Sequence, residues 1–148
     1  MDRRNVVKSV LAASAGVVAA AAGSQAKADT SAVPKVVYHL ADMEKVGFAL
    51  GNIRNHIDGM GGPEAVTIAM VVHGPALGSF RANSGNETVK SQLARLTKEK
   101  VQLYACIHTM EGMKLTLADL LPGFTVADKG GVVKLAQLQA QGWLYLRP

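Results

Sequence analysis

One cysteine in 148 residues excludes an internal disulfide framework, because a single thiol cannot close a bridge within the chain. Aromatic residues are also few. One Trp, three Tyr and three Phe are spread along the sequence rather than interleaved with Lys and Arg, so no stacking platform for nucleic-acid bases is present. No Gly-rich turn ends in Gly-Lys-Ser or Gly-Lys-Thr. Gly59-Met60-Gly61-Gly62 follows a helical pattern rather than a strand, which is the wrong context for a dinucleotide fingerprint. His-Glu-x-x-His, Cys-x-x-Cys and Gly-x-Ser-x-Gly are likewise missing. These gaps argue against an NTPase, a dehydrogenase, a zinc protease and an esterase, and no cofactor and no resident metal are expected.

What is present has a globular balance: 49% hydrophobic and 18% charged residues, enough apolar material for one core and one domain. The leading residues read differently from the rest. Arg3-Arg4 and Lys8 give a basic start, Ser9 to Ala22 is a weakly apolar run of small residues, and Ala26-Lys27-Ala28 has the small-x-small form of a cleavage site. The run is shorter than the ~20 residues that a helix needs to cross a bilayer. The pattern predicts a twin-arginine export signal over residues 1–28, cleavage after Ala28, no stable membrane anchor after cleavage, and a periplasmic domain over residues 29–148. Arg3, Arg4, Lys8, Lys27 and Asp2 would leave together. The basic excess of the whole chain, +5, then shrinks to a near balance, which is no nucleic-acid footprint.

Along the remaining chain, strand-like and helix-like patterns alternate. Pro34 to Leu40, Ala65 to Val72 and Val101 to Cys106 are apolar, β-branched runs of buried-strand type, with short fourth and fifth strands at Phe124 to Val126 and Trp143 to Leu146. Between them lies a helix after Asp42 as N-cap, with Met43, Val46, Leu50, Ile53, Ile57 and Met60 on its apolar side. A second helix opens at Ser84 with Glu87 at capping-box spacing and runs through Lys100. Short helical stretches from Thr109 and through Leu117 to Leu121 follow, and a last helix spans Gly131 to Gln141. Alternation of this kind predicts an α/β three-layer sandwich: a mostly parallel five-stranded sheet with helices on both faces.

In such a sheet ligands gather outside the carboxyl ends of the strands. His39 closes the first strand, His73 the second and Cys106 the third, so neighbouring strands would bring the three to one rim at a spacing of roughly 5 Å per strand. A helix start after Cys106 supplies N–H groups and partial positive charge that favour thiolate over thiol, with His108 nearby as a further ligand-binding candidate. A buried, inert strand-end thiol is the plainer reading of Cys106. Asn52, Asn55 and His56 flank the apolar stripe of the first helix and read as structural. Cys106, His108, Met110 and Met113 form a soft cluster in sequence that could hold Cu(I).

The strings Val36-Val37-Tyr38-His39-Leu40, Gly51-Asn52-Ile53-Arg54-Asn55-His56, Val72-His73-Gly74-Pro75-Ala76-Leu77, Ala105-Cys106, Leu121-Pro122-Gly123-Phe124 and Gly142-Trp143-Leu144-Tyr145-Leu146-Arg147-Pro148 resemble an exported branch of the DsrE/DsrF-like family. The resemblance implies a flavodoxin-like arrangement of layers, a homo-oligomer, trimer or hexamer, and a cysteine at the end of the third strand that carries sulfur as a persulfide. Cys106 stands at that place. Two readings follow. In the first, the chain is a periplasmic sulfur carrier or sulfurtransferase with Cys106 as catalytic residue and His39, His73 and His108 as ligand-binding residues; its partner is a donor or acceptor protein or a small sulfur compound. In the second, it is a non-catalytic oligomeric binding module for a small ligand or Cu(I).

The export reading has a direct test. A reporter fused behind residues 1–28 should cross the inner membrane, and the Arg3→Lys, Arg4→Lys double variant should retain it in the cytoplasm; undiminished export of the double variant would remove the twin-arginine assignment.

Overall fold

The computed structural model describes residues 32–84 and 86–148, so the expected signal segment lies outside the described residues. Five strands form one parallel sheet: β1 (Lys35–Leu40), β2 (Thr67–Val72), β3 (Gln102–Cys106), β4 (Phe124–Ala127) and β5 (Leu144–Leu146), in the order β4-β3-β2-β1-β5. Four α-helices connect them: α1 (Val46–Met60), α2 (Glu87–Lys98), α3 (Ile107–Gly112) and α4 (Gly131–Ala140). The α/β three-layer expectation is therefore met.

The order explains which helix lies on which face. From β1 to β4 each crossover steps to the next strand in one direction, and right-handed connections moving one way keep their helices on one side. The β4 to β5 connection travels back past β1, so the same handedness puts α4 on the opposite side. The core divides accordingly. Val36, Tyr38, Leu40, Ile68, Met70, Val72, Leu103 and Ala105 pack toward α1 and α2, against Leu50, Ile53 and Leu93. Val37, Ala69 and Val71 pack toward α4, against Leu135, Leu138 and Trp143. Alternation along each strand sets this division, and it makes β1 and β2 apolar on both faces.

Two helix starts differ from the sequence expectation. Asn86, not Ser84, caps α2: its side-chain oxygen accepts from Val89 N at 3.1 Å, while Ser84 Oγ accepts from Asn86 N at 3.4 Å and so secures only the turn before the helix. The N-cap must immediately precede the first helical residue, and here that residue is Glu87. Asp42 precedes a 3-10 turn, Met43–Lys45, rather than α1 itself, and its side chain makes no cap bond. Its carboxylate is instead 3.3 Å from the Arg147 guanidinium. The tighter turn also rotates Met43 off the apolar stripe, and both Met43 and Met60 are exposed. A 3-10 segment after β2, Gly74–Phe80, went unread in the sequence; it buries Ala76, Leu77 and Phe80, and Phe80 meets Phe124 edge-on.

Candidate functional site

The strand order makes β1, β2 and β3 adjacent, which is the condition for His39, His73 and Cys106 to share a rim. Parity then decides the face. His39 lies two residues after Val37, His73 two after Val71 and Cys106 two after Tyr104, all of which pack toward α4. The three polar side chains thus project on the α4 face, beneath the Gly130-Gly131 start of that helix.

That helix start requires glycine. Gly130 has a φ of +95°, in the left-handed region, and a Cβ there would come within 2.9 Å of the His108 ring. A Cβ on Gly131 would stand 3.2 Å from Cys106 Cβ and 3.3 Å from His73 Cβ. The backbone of α4 can therefore settle onto Cys106 and His73 together.

Cys106 is 6% exposed and is the N-cap residue of α3. Burial works against its thiolate. It is opposed by hydrogen bonds from the backbone of Thr109, Gly131 and His108 and from the Thr109 hydroxyl, and the balance lowers the thiol pKa below its usual value. The start of α3 was legible in the sequence as one source of this stabilisation. The contribution of α4 through Gly131 was not, since it comes from a residue remote along the chain. Thr109 was also missed. Gly74 N–H donates to Thr109 Oγ1 at 3.0 Å, which occupies the hydroxyl as acceptor and leaves its proton free to serve the sulfur.

The two histidines meet directly. His39 Nε2 is 2.5 Å from His73 Nε2, with the ring centroids 4.7 Å apart and the planes 27° from parallel, so the two rings meet edge to edge, and His39 Nδ1 is 2.6 Å from Tyr145 Oη. Burial, then the neighbouring His73 and the Arg147 charge, lower the His39 pKa to about 4, against a weaker opposing pull from Asp42. Burial and Arg147 likewise lower His73. Both rings are neutral at physiological pH, so a single proton occupies the Nε2 to Nε2 contact.

His108 stands apart from this pair. It is exposed on α3, its ring lies against Gly130, and its Nδ1 is 3.5 Å from Glu111. The soft sulfur cluster does not assemble. Met110 is buried and Met113 packed on the α1–α2 side of the sheet, whereas Cys106 faces α4 and His108 faces outward. Among the described residues no three His, Cys, Asp or Glu side chains converge as a metal site. Asn52, Asn55 and His56 line a cavity of about 420 Å³ on the far side of β1, where Tyr38 Oη lies 2.9 Å from His56 Nδ1.

Residues 35–148 match the DsrE/DsrF-like family. The chain belongs to that family. Among solved structures it is similar to the protein of unknown function MTH1491 from Methanobacterium thermoautotrophicum, at 27% identity and a TM-score of 0.68 over 78% of this chain and 99% of that one. It also shares its fold with the ychN protein from E. coli (16% identity, TM-score 0.60, 77% and 99% covered). A protein of unknown function from Bacteroides thetaiotaomicron, BT1422, is a third such neighbour (14%, 0.59, 77% and 94%). No curated protein matches. Family membership is consistent with a sulfur-relay role in general.

Two outcomes are expected from this geometry. Thr109→Val should raise the pH at which Cys106 ionises, and Thr109→Ser should leave it near the wild-type value, as read from thiolate absorbance against pH. The histidines should make stability fall in acid. An unfolded His39 binds its proton near pH 6.5 and the folded one only near 4, so the unfolded chain holds the extra proton between those values. Stability is full above that window and declines as pH falls through it. His39→Gln should shallow the decline in melting temperature between neutral pH and pH 4, and an unchanged slope would contradict the assignment.

Proposed function

We propose that the protein is a periplasmic sulfur carrier in which the Cys106 thiolate accepts sulfane sulfur and passes it on as a persulfide. The observation that carries this reading is the seating of Cys106 between the starts of two helices, with the Thr109 hydroxyl as an additional donor. Such a seat favours a nucleophilic thiolate over a neutral core thiol. Neutral His73 borders the same glycine and is available to a bound sulfur compound. The low exposure of Cys106 suits a small donor or a slender persulfide arm rather than a bulky one. Because the residues of the soft cluster point to different sides of the sheet, Cu(I) capture through them is the weaker reading.

A homo-oligomer accompanies this proposal. β5 is a three-residue edge strand whose Leu144 and Leu146 are exposed, Leu144 at 63%, while Phe48 and Val132 also present apolar surface. A second copy of the chain is the partner we assign to these surfaces. Light scattering should report a trimer or hexamer, and a monomer across micromolar concentrations would remove the assignment.

Exposure of the folded protein to polysulfide should add one sulfur mass to the wild type and none to Cys106→Ser. Methyl methanethiosulfonate should label Cys106 in the native state. Labelling only after denaturation would identify an inert core thiol and overturn the carrier reading.

A further inference from the structure

The polar chain on the α4 face extends past the two histidines to the sheet edge. Tyr145 on β5 bonds His39, His39 bonds His73, and His73 lies against Gly131, as Cys106 does. This path crosses from β5 to β1 at the carboxyl ends of the strands, where ligands of an α/β sheet gather. An imidazole takes a proton on one ring nitrogen and releases one from the other, so neutral rings in series conduct protons without either being held as a cation. The charged groups facing the path are Asp42, before α1, and Arg147, after β5, which pair with each other at 3.3 Å. Neither bonds an imidazole. Tyr145 is 40% exposed, which brings the outer end to water, and Nδ1 is the His73 ring nitrogen that His39 does not engage.

We propose that Tyr145, His39 and His73 form a proton relay between solvent and Cys106, with Tyr145 as the residue that admits the proton. The proposal rests on the sulfur-carrier reading of Cys106 and adds a role to it. In the loading step the Cys106 thiolate attacks the outer sulfur of a small persulfide, R–S–SH. The new bond to Cys106 forms as the bond to the inner sulfur breaks, R–S⁻ departs with the electron pair, and there is no net oxidation. The leaving thiolate takes the proton on His73 Nδ1. His73 regains one on Nε2 from His39 Nε2, His39 regains one on Nδ1 from the Tyr145 hydroxyl, and water reprotonates Tyr145.

Tyr145→Phe keeps the ring and removes the only proton that this residue could pass. In the full chain, loading from a small alkyl persulfide should slow about tenfold, and added imidazole buffer should restore the rate by protonating the leaving thiolate directly. Alkylation by iodoacetamide, whose leaving group needs no proton, should be unchanged. Equal loading by Tyr145→Phe and wild type would overturn the relay, and so would slow loading that imidazole does not rescue or a matching loss in alkylation, each of which would assign Tyr145 to packing. If the wild type itself takes up no sulfur, the carrier reading fails and the relay falls with it; loading of wild type with any of the other adverse results leaves the carrier reading standing and removes the relay alone.

Discussion

The return of the chain from β4, across the whole sheet, to pair β5 beside β1 is the constraint on which the site depends. Three crossovers in one direction fill one face with α1, α2 and the segment containing α3. Only the reversed fourth can place a helix on the other face. That helix, α4, brings the Gly131 N–H to Cys106, and β5 brings Tyr145 to His39 and Arg147 to Asp42. With α4 on the other side of the sheet, Cys106 would keep the start of α3 but lose its second set of donors. His73 would lose the Gly131 backbone that lies against it.

Burial and hydrogen bonding act in opposite senses on the ionisable groups of this face. For Cys106 the donors outweigh desolvation, so the thiolate is favoured although the residue is buried. For His39 and His73 no carboxylate lies in hydrogen-bond contact to hold an imidazolium, so burial prevails and the neutral form persists. A thiol whose ionisation is eased thus stands beside imidazoles whose protonation is disfavoured. The same elements produce both states, since the helix cover that removes water also supplies the N–H groups.

The opposite face is arranged for stability. Its strands present an uninterrupted apolar surface to α1, α2 and the Gly74–Phe80 segment. The polar residues near it, Asn52, Asn55, His56 and Tyr38, gather at one edge cavity. The sheet thus separates a packing face from a polar rim, and Thr109 links them by accepting from Gly74 at the head of the packed 3-10 segment while serving Cys106.

The sequence by itself determined the elements and the class. Apolar runs bounded by glycine, proline and polar residues located the five strands, and their alternation with helical periodicity required a parallel α/β sheet, because these patterns follow from local geometry. It also placed His39, His73 and Cys106 at strand ends. Local pattern misassigned the α2 cap and the position of Met43, where a difference of one or two residues in helix start changes which side chain can reach the backbone. Only the tertiary structure decided that the three strands adjoin and that their polar ends share the α4 face. It alone brought Tyr145, Gly131 and Thr109 to them while sending Met110 and His108 elsewhere. Thr109 follows Cys106 by three residues, but Tyr145 and Gly131 lie far along the chain from the residues they meet, and their closure depends on the crossover direction of the last strand, which no local pattern encodes.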